Sequence, residues 1–195
     1  MNDLPGVLAA ALEIQAFCEA RRWRFCCIGG VAVQRWGHPR FTQDVDLTLL
    51  TGFGSEPAFL DTLLASYSGR RPDSREFALR HRVLLLRNGA GVDLDVALGA
   101  LPFEERSVAR SSLWAWRPGQ SLRTCSAEDL IIHKVFAGRD RDWSDVESIL
   151  IRQHGRLQWA LILEELCPLL ELKEDAESLP RLDRMSLKVR RRLDA

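Results

Sequence analysis

Asp44 and Asp46 stand two residues apart in Asp44-Val45-Asp46-Leu47. A strand repeats every two residues, so both carboxylates share one face while Val45 and Leu47 take the other. Like charges at that spacing repel unless a cation lies between them. A hard divalent ion such as Mg²⁺ meets that need, because it takes oxygen ligands and is commonly held by one or two carboxylates together with substrate phosphates. Upstream, the apolar run Phe25-Cys26-Cys27-Ile28 closes on Gly29 and Gly30, and a helical pattern follows through Val31, Val33 and Trp36. That order reads as strand, tight turn, helix. Glycines at a helix N-terminus let backbone N–H groups approach a phosphate closely. One end of the stretch 25–50 would thus hold phosphate and the other metal.

A second acidic alternation, Val92-Asp93-Leu94-Asp95-Val96, puts Asp93 and Asp95 on one strand face. Either could add a third carboxylate. Other chemistries have no footing. The four histidines, His38, His81, His133 and His154, are scattered, with no HExxH or His/Cys metal spacing. No serine sits in a GxSxG turn and no GxxxxGK[ST] loop is present.

The elements that must position these acids can be read from periodicity. A helix is expected over 4–21, a strand over 24–28, and a helix opening at Ser55-Glu56-Pro57 and running through Phe59, Leu60, Leu63 and Leu64. Three apolar runs of strand length follow: Phe77-Ala78-Leu79, Val83-Leu84-Leu85-Leu86 and Val92 to Val96. Asn88-Gly89-Ala90-Gly91 between the last two is a hairpin signal, which makes the sheet mixed. A short helix over 104–110 and an extended segment over 121–125 complete this part. From Ser126 the pattern is wholly helical. Ser126 is a capping residue that puts Glu128 and Asp129 in a first turn, and Leu130, Ile131, Val135 and Phe136 are expected inward with Lys134 beside them. Further helices are expected over 157–172 and 180–193, the last carrying six basic and two acidic residues over 181–195.

With 195 residues and 46% hydrophobic side chains, the chain can bury a core of its own. Its 27 basic and 27 acidic residues create no global field toward nucleic acid or an anionic membrane. No segment approaches the roughly 18 continuous apolar residues of a membrane span, and the N-terminus lacks signal-peptide features, so a cytoplasmic location is expected. Five cysteines, including the adjacent Cys26 and Cys27, show no CxxC spacing and are expected as reduced thiols.

Gly29-Gly30, thirteen intervening residues and Asp44-Val45-Asp46 resemble the signature of the DNA polymerase beta nucleotidyltransferase superfamily. The connecting run Trp36-Gly37-His38-Pro39-Arg40-Phe41-Thr42-Gln43-Asp44 is similar to that of the small bacterial nucleotidyltransferases related to the AbiEii toxins. A second segment, EDLIIHKVFAGRDRDWSDVESIL, resembles the helices that follow the catalytic domain in the same enzymes.

The resemblance implies an α/β (α+β) fold with a polymerase-beta-like core over 1–125, its mixed sheet flanked by helices, and a C-terminal helical region over 126–195 packed on the active-site cleft. It also implies transfer of NMP from an NTP to a hydroxyl of RNA or tRNA, a protein or a small molecule, with Mg²⁺ as cofactor, two ions in all. Asp44, Asp46 and a third carboxylate would bind metal. Leu98-Gly99-Ala100-Leu101-Pro102-Phe103-Glu104 resembles the family's segment after that carboxylate and points to Asp95, with Asp93 the alternative. Gly29, Gly30, Arg40, Thr42, Lys134 and Arg139 would bind nucleotide, Lys134 also serving catalysis, and Asp142 and Asp145 could position Lys134 or the acceptor. An antitoxin is the implied protein partner. A catalytically degenerate nucleotide- or partner-binding protein is the alternative, and a metal-dependent nuclease a third reading.

Overall fold

The computed structural model describes residues 4–194, which divide into two compact units. One takes the described residues up to Val31 together with Phe41–Cys125; the other takes Ala32–Arg40 and the described residues from Ser126 onward.

The first unit is built on a mixed sheet. Its strands are β1 (Phe25–Cys27), β2 (Asp44–Leu50), β3 (Ser68–Gly69), β4 (Val83–Arg87), β5 (Asp93–Gly99), β6 (Ser112–Arg117) and β7 (Gln120–Thr124), ordered β3-β4-β5-β2-β1-β7-β6. The helices are α1 (Leu4–Ala20), the start of α2 (Gly29–Trp36), α3 (Glu56–Leu64), α4 (Ser74–His81) and α5 (Pro102–Arg110). Alternation fixes the faces: Val45, Leu47 and Leu49 of β2 and Leu94, Val96 and Leu98 of β5 are buried in one core with Ile14 and Leu60. The intervening acids therefore share the opposite face. β2 runs parallel to β5 with Asp44 opposite Asp93 and Asp46 opposite Asp95. The hairpin joining β4 to β5 is antiparallel, its turn held by Asn88 Oδ1, which accepts from the N–H groups of Ala90 and Val92 at 3.1 and 2.9 Å.

Phe77-Ala78-Leu79 is not a strand but the middle of α4. Three apolar residues cannot distinguish a period of 2 from 3.6. The helical period wins because Ala78 alone turns into the core, while Phe77 meets His81 one turn on, ring centroids 4.4 Å apart. Arg82, at φ 55°, closes the helix in the left-handed region. Nor did the sequence reading assign Ser112–Arg117 to any element. It forms the edge strand β6, which packs Trp114 and Trp116 on the core and turns through Pro118-Gly119 into β7.

The second unit consists of α6 (Ala127–Ala137), α7 (Asp140–Arg152), α8 (Trp159–Leu172) and α9 (Ser178–Leu193), with the rest of α2 and the segment to Arg40. Ser126 caps α6 by accepting from Asp129 N–H at 3.0 Å. Leu130, Ile131 and Val135 are buried, but Phe136 is exposed under the Lys173 ammonium, because it lies beyond the arc of α6 that meets the other helices. Gln153 donates to the Trp36 carbonyl at 3.0 Å, and Arg152 donates to the carbonyls of Gln34 and Gly37. All five cysteines are free thiols.

Half-buried His133, whose Nε2 is shielded from solvent, should make this unit acid-sensitive. Burial pushes its pKa from 6.5 down to about 4, Asp129 opposing and Lys134 adding to the effect. The folded state thus keeps His133 neutral where the unfolded chain takes up a proton, so its stabilising contribution is complete above pH 6.5 and is lost as pH falls toward 4. The loss amounts to about 3 kcal/mol. Urea unfolding of His133→Gln should show a shallower decline over that window than the wild type; equal slopes would assign the acid sensitivity to other groups.

Candidate metal and phosphate site

The paired register of β2 and β5 brings three carboxylates together. Asp44, Asp46 and Asp95 are half-buried and offer oxygens that all lie within 4.8 Å of one another. Burial raises Asp95 to about 6; Arg70 opposes this, and Asp46, Asp44 and Asp93 add to it. Three hard oxygen donors under mutual repulsion are the donor set a Mg²⁺ ion takes, so the residues fit that ion.

Asp93 lies on the same face but is otherwise engaged. Its Oδ1 accepts from Arg87 Nε at 2.7 Å and its Oδ2 from Arg70 at 2.8 Å. The Arg87 hydrogen bond, followed by those of Arg70, holds its carboxyl below the usual carboxylate range despite partial burial. Arg70 also donates to Asp95 Oδ1. Arg70 has no role in the sequence reading; the signal was weak, since β3 before it is only two residues long.

The glycine turn presses on the acidic strand. Gly29 has φ +55°, and a Cβ there would fall on the Asp46 carboxylate; a Cβ on Gly30 would fall on the Thr42 hydroxyl. Only glycine allows this approach. Gly30 N–H donates to Asp46 Oδ2 at 3.3 Å, and buried Thr42 Oγ1 donates to Asp44 Oδ1 at 3.0 Å. Thr42 thus holds one carboxylate and the turn holds the other.

Arg40, Lys134, Arg139, Asp142 and Asp145 form one ionic network inside the second unit. Lys134 Nζ is 2.8 Å from Asp142 Oδ1 and 2.9 Å from Asp145 Oδ2. Arg40 grips Asp145 with two parallel bonds of 2.6 and 2.7 Å, and Arg139 Nε lies 2.6 Å from Asp142 Oδ2. Burial alone would raise Asp142 and Asp145, but hydrogen bonds from Arg139 and Lys134 to the first, and from Arg40 and Lys134 to the second, hold both below the usual carboxylate range. The Arg139 side chain is 76% exposed, that of Lys134 only 8%.

A family model described as "Nucleotidyl transferase AbiEii toxin, Type IV TA system" matches residues 20–184. Among solved structures, an antigenic nucleotidyltransferase-like protein from Paracoccidioides brasiliensis is similar at 14% identity and a TM-score of 0.53, over 90% of this chain and 92% of that one, a likeness of fold. More distant are the lincomycin-bound lincosamide antibiotic adenylyltransferase LnuA (14% identity, 70% and 92% covered, TM-score 0.47) and JHP933 from Helicobacter pylori (13% identity, 96% and 90% covered, TM-score 0.47). No curated protein matches the chain.

Proposed function

The chain belongs to the AbiEii nucleotidyl transferase family, and from that premise we propose that it is a Mg²⁺-dependent enzyme moving NMP from an NTP to a hydroxyl of RNA, a protein or a small molecule. The observation that carries the reading is the set of three carboxylates on β2 and β5, with oxygens within 4.8 Å, against a turn that only glycine can form. Asp44, Asp46 and Asp95 would hold the ions, two in number; when bound, these supply the positive charge that offsets the triphosphate and acidifies the acceptor hydroxyl.

The chain's own groups do the positioning. Thr42 fixes the Asp44 carboxylate and Gly30 N–H that of Asp46, and the positive N-terminal end of α2 would favour the phosphates. Lys134 and Arg139 serve as triphosphate cations. Two of the three Lys134 N–H groups go to Asp142 and Asp145, leaving one for a phosphate oxygen, and the Arg139 side chain, paired with Asp142, is 76% exposed. Asp142 and Asp145 act by orienting Lys134, and Arg40 acts through Asp145. Catalysis by such a site is chiefly positioning and electrostatics. A complete acid set supports an enzyme over a degenerate binding protein, since unused carboxylates at that spacing only destabilise the fold. The family description supports a toxin of a toxin–antitoxin pair, with a cognate antitoxin as partner. Among the described residues no helix is long and apolar enough to cross a membrane.

Labelled NTPs, Mg²⁺ and a cell extract test this reading. Label should pass to an extract component, and Asp95→Asn should reduce transfer on the order of a thousandfold while leaving Mg²⁺-NTP affinity within a few fold. Asp93→Asn, whose carboxylate is already taken by two arginines, should cost less than about tenfold. Nucleotide binding without transfer would support the degenerate reading, and cleavage of nucleic acid a nuclease.

A further inference from the structure

Arg70 lies two strands away from the acid it touches. β3 pairs with β4, and the Arg70 N–H continues that pairing by donating to the Leu85 carbonyl at 3.0 Å. Leu85 is opposite Asp95 on β5, and Arg87 is opposite Asp93. The Arg70 side chain therefore crosses β4 and sets one terminal nitrogen on Asp95 and the other on Asp93. Its Nε is buried without a hydrogen-bond partner, so the two carboxylates alone fix the guanidinium. Arg87 takes the remaining oxygen of Asp93 and completes a chain from Arg87 through Asp93 and Arg70 to Asp95.

We propose that Arg70 is the resident counter-cation of the acidic site: it positions Asp95, stabilises the unit when no ion is bound, and weakens the site's hold on a divalent ion. The inference rests on the metal reading above. Four carboxylates, Asp44, Asp46, Asp93 and Asp95, face two guanidiniums, which leaves two negative charges, and without Arg70 there would be three.

Two effects on ion binding oppose each other. Orienting a short Asp side chain favours binding by no more than a few fold. A permanent positive charge a few ångströms from a doubly charged ion disfavours it by more, even at the high effective dielectric of a half-exposed site. Repulsion wins. Arg70 need not leave when the ion arrives, because a carboxylate has two oxygens and only Oδ1 of Asp95 is engaged.

The test is thermal unfolding of the full chain titrated with Mg²⁺ alone, without nucleotide. Arg70→Met should melt lower than the wild type in chelator and reach half-maximal stabilisation at about tenfold lower Mg²⁺. Arg70→Lys keeps the charge but loses the fork; it should also melt lower in chelator, with a half-saturation point within about twofold of the wild type. Folding of Arg70→Met only when Mg²⁺ is present supports the proposal as well. If Arg70→Met does not fold under either condition, Arg70→Gln takes its place under the same criterion. An unchanged or higher half-saturation point in the neutral variant overturns the proposal and leaves Arg70 a structural pin for β3. A wild type that Mg²⁺ does not stabilise sinks the metal reading instead.

Discussion

Asp44→Asn combined with Asp46→Asn abolishes Mg²⁺-linked nucleotide binding and lowers transfer by at least about a thousandfold, the scale of losing a key electrostatic contact in the transition state. Most paired substitutions in a core would unfold a protein; this pair should not. The local hydrogen bonds survive, since an Asn oxygen still accepts from Thr42 Oγ1 and from Gly30 N–H, as the carboxylates do. Two charges are removed from a set whose oxygens lie within 4.8 Å, so repulsion falls. Melting in chelator should therefore be unchanged or higher than wild type, while the added stabilisation by Mg²⁺ with NTP disappears. Stabilisation that persists in the double variant would place the ion elsewhere.

This experiment rests on the part of the molecule most legible in the sequence. The acidic alternations of Asp44 to Leu47 and Val92 to Val96 could be read because a period of two survives translation into a strand without any knowledge of partners. What the sequence did not contain was the register. Either acid of the second pair could have met the first; the parallel alignment sets Asp93 against Asp44 and Asp95 against Asp46, and it is Asp95 whose oxygen lies with those of both first-pair acids. Arg70 was illegible for the same reason: its effect requires crossing β4, a fact of sheet order.

Local ambiguity accounts for the misread elements. Phe77 to Leu79 was too short for its period to show, and in Ser112 to Arg117 the run Leu113-Trp114-Ala115-Trp116 is apolar throughout, so no alternation marks it as a strand. The grouping of Ala32–Arg40 with the helices depends on contacts such as Arg40 to Asp145, 105 residues apart. No pattern within a short window reports those.

Lys134→Met has the largest expected effect on stability. The Lys134 ammonium is nearly buried and lies within 3 Å of two carboxylates that are themselves 1% and 4% exposed. Removing one partner of a buried ionic group leaves charge without compensation, a loss of about 3–5 kcal/mol. Because Arg139 still reaches Asp142 and Arg40 still reaches Asp145, the lower end, about 3 kcal/mol, is expected here. The deficit has a pH signature. In the wild type both carboxylates titrate below their ordinary range, so the stability they contribute is present above the unfolded carboxylate pKa and is lost as pH falls through the folded values. The variant lacks one source of that depression, and its deficit against wild type should therefore be full at neutral pH and shrink below about pH 4. Urea titrations at pH 7 and in that acid range measure both numbers; a deficit independent of pH would mean that lost packing of the lysine stem, not lost charge, is responsible. On folded variant, NTP affinity should fall more than NMP affinity if the remaining Lys134 N–H serves the β- or γ-phosphate, and equal losses would take Lys134 out of phosphate binding.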